Sequence, residues 1–466
     1  MPPIAPAVSQ QTQRRFLLRL KTELTEATPF RATRLFCTLV AIGLVFQLMP
    51  RPNGWTLDHI HKEDGVIFLS DFAHLGWASV FVPYSGYLHL LPRLLTGVGT
   101  LLPIEFFGIW VGITTALVKA AVSLVMYPVL TRWLRSARWG AIAAAAPLIS
   151  PLASQEVLGN YTNLRWYMAL VVFFIAWAAQ NGWRANVGLA LFGLLAGFTE
   201  PLTVLVVPLL LARAWLNRGW GRAPAIIALS AIATHFVFFV TPSSRGDVLG
   251  VGYILSHPAY TFQGLMLRGP GASLFGSNLS KAAMQLVGSW FWLAGFAVFI
   301  VLALLTVVIV RRQRDSVPGL VFSWTVIIWG LVVLSATMSF STLEALDMGL
   351  WYSVGQTSRY ALSASEYILP GLIGIASFSV KLRPPMPWRI IGASLGASLL
   401  AVLSLATAAD FSGDKMNYAG PSWTATVQES RRLCTAGAHE VVVPFTPQGT
   451  PVVWTSTLPC AVFLRG

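Results

Sequence analysis

Apolar runs long enough to reach across a hydrocarbon layer recur along the chain, separated by short polar segments. Residues 35–49, 187–211, 282–310 and 390–409 are almost unbroken stretches of Leu, Val, Ile, Ala, Phe and Gly. A helix rises about 1.5 Å per residue, so about 20 apolar residues cover the roughly 30 Å core of a bilayer. Taken together, the runs predict about eleven crossings. They are 35–49, 106–130, 139–153, 166–181, a hairpin of two short helices turning at residues 197–201, then 223–241, 282–310, 318–338, 363–380 and 388–409. The expected fold is an all-α polytopic membrane protein.

Composition agrees with that pattern: 55% of residues are hydrophobic and only 11% charged, which excludes an ordinary soluble domain. The formal charge of +14 does not indicate a nucleic-acid partner, because the basic residues lie in short loops between apolar runs. The basic tail, residues 1–34, and the loops at 132–138, 184, 213–222, 311–314 and 381–389 hold 19 of the 32 Lys and Arg. Such a bias places these segments in the cytoplasm, with the N-terminal tail leading into an uncleaved anchor.

Parity then constrains the ambiguous stretches. One crossing at 106–130 leaves a long first outer loop, roughly 51–104, with residues 87–102 lying along the interface as an amphipathic helix. Arg184 and Arg213 both face inward, so the residues between them form a hairpin that buries Glu200 in the membrane. An odd number of crossings puts the tail, 410–466, outside. It contains Cys434 and Cys460, with strand-like residues 441–443 and 452–454 between them. This reads as a small β-rich extracytoplasmic appendage closed by a Cys434–Cys460 disulfide, the alternative being two free thiols; the bond would add about 3 kcal/mol.

Ionisable groups beside a bilayer are costly, so their clustering is the functional pointer. The first outer loop carries Asp58, His59, His61, Glu63, Asp64, Asp71, His74, His89 and Arg93 within about forty residues. A carboxylate pair there serves as general base, as ligand of a divalent ion such as Mg or Mn, or as partner of a basic side chain, and sequence leaves the three open. There is no Walker-type loop, no dinucleotide fingerprint, no HExxH and no CxxC, which argues against an ATP-driven pump, a reductase or a zincin.

With Glu63-Asp64 in a long loop after the first helix, the chain resembles the GT-C superfamily of polyprenyl-phosphate-sugar-dependent glycosyltransferases. The span count, the basic inner loops and the small outer C-terminal part extend the resemblance. It implies that Asp64 is the base toward an acceptor hydroxyl and Glu63 its neighbour or a metal ligand. A guanidinium suits a lipid phosphate, and the candidates are Arg359 with Tyr360, Arg93 with Tyr87 and His89, and Arg268. Each Arg has a plain alternative as a headgroup anchor, and Asp64 as a salt bridge to Lys62 or Arg93. Lys119 and Glu200, inside predicted spans, either line the lipid-phosphate groove or form a structural pair. His235 reads as a satisfied core histidine.

The expected partners are a polyprenyl-phosphate-linked sugar, a glycan, lipid or protein acceptor, and membrane lipids, at a bacterial plasma membrane. Two rival readings remain: a secondary transporter or lipid flippase, which calls for inverted repeats and broken helices, and a non-catalytic envelope-assembly protein on the same scaffold.

Overall fold

The computed structural model describes residues 32–52, 54, 56–154, 157–178, 182–241, 252, 255–339, 358–382, 386–412, 420–449 and 452–464. Most of the basic tail, Trp55 and Arg383 lie outside the described residues. The main helices are α1 (Arg34–Leu48), α2 (Leu90–Gly99), α3 (Phe107–Trp133), α4 (Leu164–Trp177), α5 (Trp183–Gly197), α6 (Val207–Leu216) and α7 (Ala223–Phe238). They continue with α8 (Ala272–Val287), α9 (Trp292–Arg312), α10 (Val317–Ser339), α11 (Ser358–Ser379), α12 (Met386–Asp410) and α13 (Trp423–Thr435). A hairpin of β1 (Glu440–Gly449) and β2 (Val452–Pro459) follows.

Among the described residues, six helical stretches, those containing α3, α7, α9, α10, α11 and α12, are long and apolar enough to cross a membrane. Apolar but shorter are α1, α4 and Pro201–Leu216. This is the makeup of a multi-pass membrane protein, with fewer full-length spans than the eleven expected. Two expected crossings are broken. Residues 139–153 divide into Ala137–Ala144, Ala146–Ile149 and a 3₁₀ turn, Pro151–Ser154. Pro147 and Pro151 each lack the N–H that a continuing helix needs. Residues 282–310 divide between α8 and α9, because Gly288 turns the chain at φ +62°, a conformation open mainly to glycine. The interfacial helix expected at 87–102 shortens to α2, since Tyr84 and Tyr87 close a tight turn around Gly86 (φ +87°) just before it.

Glycines allow the closest helix packing. A Cβ on Gly371 of α11 would come 2.4 Å from Ile327 Cγ1 and 2.8 Å from the Ser323 carbonyl of α10. At about 1.5 Å per residue, α3 separates its two ends by about 40 Å. At the far end three basic loops meet: Lys381 Nζ donates to Leu134 O at 3.0 Å and Arg135 Nη1 to Asp315 O at 3.2 Å. Buried Arg213 donates to the carbonyls of Ile175 and Ala178, closing the C-terminus of α4.

At the near end lie the first loop and the C-terminal appendage. The appendage carries the expected strands and adds α13, which covers the hairpin, an amphipathic helix masked in sequence by its polar face. Cys434 on α13 and Cys460 after β2 are disulfide-bonded, with Cα atoms 5.5 Å apart. Along β1 the valines alternate as a half-buried strand requires, Val441 and Val443 buried and Val442 exposed.

Candidate functional site

The Glu63-Asp64 pair stands where the extended first loop turns into a π-helical stretch, Asp64–Leu69. The two neighbours have opposite surroundings. Asp64 is fully buried and both its oxygens are taken: Oδ2 accepts from Tyr161 N at 2.7 Å, and Oδ1 from Thr162 N at 3.1 Å and Thr162 Oγ1 at 3.0 Å. Burial pushes its pKa up to about 7, against the pull of those three donors. Asp64 thereby fastens the first loop to the 160–163 turn ahead of α4.

Glu63 faces cations instead. Its Oε1 is 4.0 Å from Arg359 Nη1 and its Oε2, which accepts no hydrogen bond, is 3.6 Å from His61 Nε2. Burial alone would raise its pKa, but Lys62, His61 and Arg359 outweigh that and hold Glu63 below the ordinary carboxylate range. His61, buried, is pushed down to about 3 and is neutral. The Arg359 guanidinium also lies over the Tyr360 ring at 5.1 Å and keeps 21% of its side-chain surface exposed, so it is both held and reachable.

A second guanidinium, Arg165 at the start of α4, was not among the sequence candidates. It stacks on Trp166 at 3.9 Å, donates to the Tyr87 hydroxyl, and stands 3.5 Å from Glu200 Oε2, with 22% of its side chain exposed. Trp166 in turn meets Tyr360 edge-on at 6.2 Å, which links the two arginines. The sequence signal for Arg165 was a lone cation opening an apolar run, which also fits an interface anchor.

The remaining candidates divide. Tyr87 joins the site through Arg165, and Glu200 caps the turn into Pro201–Val206 by accepting from Leu202 N at 2.9 Å. The hairpin tip also holds the start of α2, where Leu91 N donates to Thr199 Oγ1 at 3.0 Å. His235 is a core histidine as expected, Nδ1 donating to Gly197 O and Nε2 accepting from Leu88 N. His89 packs against Tyr87 at 4.3 Å and Phe68 at 5.5 Å, and burial pushes it down to about 3. Arg93 departs from the phosphate-clamp expectation: it is 1% exposed and bonded to Asp71 at 3.0 Å.

Arg268 is also fully buried, in the π turn Leu267–Gly271 against α9 and α11. Lys119 and Glu200 do not pair with each other. Lys119 Nζ donates to Gln47 Oε1 at 2.7 Å and to Val157 O at 3.3 Å. Near it, Glu366 of α11 accepts from Ser150 Oγ at 2.9 Å. That buried glutamate was missed, although a carboxylate eight positions into an apolar helix is visible in the sequence.

The carboxylate pair does not fit a divalent ion. Both Asp64 oxygens face donors, Glu63 is ringed by cations, and among the described residues no group of three or more His, Cys, Asp or Glu side chains converges. Neither a protein-family model nor a characterised protein sequence matches the chain.

Proposed function

We propose that the protein is a glycosyltransferase that moves a sugar from a polyprenyl-phosphate carrier to a hydroxyl of a cell-envelope glycan, lipid or protein. The near end, with Glu63 and Arg359, faces outward in this reading, because the basic loops gather at the far end. The observation that carries it is a buried carboxylate whose Oε1 lies 4.0 Å from a guanidinium that remains reachable and whose Oε2 accepts no hydrogen bond.

The contacts favour Glu63 over Asp64 as the base, since donors occupy both Asp64 oxygens whereas Glu63 Oε2 accepts no hydrogen bond. In the proposed step the acceptor O–H gives its proton to Glu63 while its oxygen bonds to the anomeric carbon. The bond from that carbon to the phosphate oxygen breaks, and its electron pair leaves with the phosphate. Arg359 and Arg165 meet the charge that develops there. A lipid phosphate leaves readily, so a weak but fully ionised base suffices. Asp64 holds the base in place through the 160–163 turn. No step runs through a metal.

The reading is tested by supplying the purified protein in nanodiscs with polyprenyl-phosphate-linked hexoses and pentoses and candidate acceptors. Release of free polyprenyl phosphate is expected. Arg359→Ala removes a charge-assisted contact and should raise the donor KM by about 10-fold to 100-fold. Donor binding without turnover of any lipid-linked sugar would overturn the reading in favour of transport.

A further inference from the structure

The C-terminal appendage grips the first loop immediately before Glu63, and the grip is dense. Asp58 O accepts from Trp423 N at 2.7 Å, and Asp58 Oδ1 from Thr424 N and Thr424 Oγ1, both at 2.8 Å. Two residues on, Ile60 O accepts from Thr446 N at 3.0 Å and Thr446 Oγ1 at 2.8 Å. Lys62 then reaches over the Trp454 ring at 5.5 Å. Beyond the pair, Gly65 lies against Phe445, and Ser70 Oγ meets Ser456 Oγ at 2.7 Å. The appendage is also fixed to the base of α3, where Arg431 pairs with Glu105 at 2.9 Å and Trp423 Nε1 donates to Ile104 O at 2.7 Å.

We infer that this appendage is a positioning element for the site: Phe445 and Thr446 of β1, with Trp423 and Thr424 of α13, hold residues 58–62 in the register that turns Glu63 toward Arg359. The inference rests on the reading of Glu63 as the base. Residues 59–61 are extended, with His61 bridged to Thr446, before the helical turn that begins at Lys62. Alternate residues of extended chain face opposite ways, so a slip of one position there would re-aim the turn that carries Glu63. Asp58, Ile60 and Lys62 are committed to the appendage, whereas His61, between two of them, sits beside Glu63. The Cys434–Cys460 disulfide joins α13 to the end of β2, so the grips on Asp58 and Ile60 belong to one body. A dithiol that reduces this bond, itself oxidised to a disulfide as the two sulfurs gain electrons and protons, loosens both grips together and makes the site sensitive to thiol redox state.

Gly65 gives a local test, because a Cβ there would come 2.0 Å from Phe445 Cδ1 and force the pair and the hairpin apart. In Gly65→Ala, a shift of about 1 Å at the carboxylate should lower kcat by about 100-fold. Donor KM, set at Arg359, should stay within about twofold. The acid limb of the rate should move up toward the ordinary carboxylate range as Glu63 leaves Lys62 and Arg359. Adding Phe445→Ala makes room for the methyl group and should recover much of kcat. An unchanged kcat in Gly65→Ala, or a double variant no faster than the single with an unmoved acid limb, would overturn the inference. A wild type that turns over no lipid-linked sugar refutes the catalytic reading instead. The grip is then read from amide exchange at residues 58–64: faster exchange after dithiothreitol reduction supports it, and unchanged exchange overturns it.

Discussion

Glu63 and Asp64 are adjacent carboxylates driven in opposite directions by what surrounds them. Lys62 and Arg359 hold Glu63 low, whereas burial carries Asp64 up to about 7. A base must be ionised, and a group with a lowered pKa stays so until pH falls through that lowered value. With Glu63 as the base, kcat/KM should therefore stay level from pH 7 downward and fall only below 4.5, the ordinary glutamate value. An acid limb centred near 7 in the pH–rate profile would assign the base to Asp64. Sequence made the pair visible but not the division of labour, because adjacent residues point different ways and only the fold brings Tyr161 and Thr162 onto one of them. Arg165 escaped notice for a related reason: its partners, Tyr87 and Glu200, lie far away along the chain.

At the scale of elements, periodicity and apolar length revealed the helices that are long and continuous, and missed where they break. Pro147 and Pro151 sit at the starts of new short turns, and Gly288 ends α8, all inside apolar runs where hydropathy alone registers no change. The strands of the tail were legible from their runs of β-branched and aromatic residues, 441–443 and 452–454, and α13 was not. Close packing of α10 on α11 is another feature that composition conceals, since it depends on which face each glycine occupies. Gly371→Leu would drive a side chain into Ile327 and the Ser323 carbonyl. Overpacking of this kind costs about 1–3 kcal/mol, so the variant should unfold at lower temperature in detergent micelles than the wild type. An unchanged midpoint would mean that the α10–α11 contact is looser than described.

Across the whole molecule, the site is assembled from residues that sequence keeps hundreds of positions apart. Glu63 comes from the first loop, Arg165 from the start of α4 and Arg359 from the start of α11, and Thr446 of the tail braces the loop from outside. Loop charges anticipated that the first loop, residue 359 and the tail share one end of the bundle, and that three basic loops share the other. The central claim, that Glu63 opposite Arg359 removes the acceptor proton, is tested most directly by comparing Glu63→Gln with the wild type. Turnover and donor binding would be measured in the same nanodiscs. The amide keeps the shape and cannot take a proton, so kcat should fall by about 10²-fold to 10⁴-fold while donor affinity is retained. A Glu63→Gln protein that turns over at the wild-type rate would contradict the account.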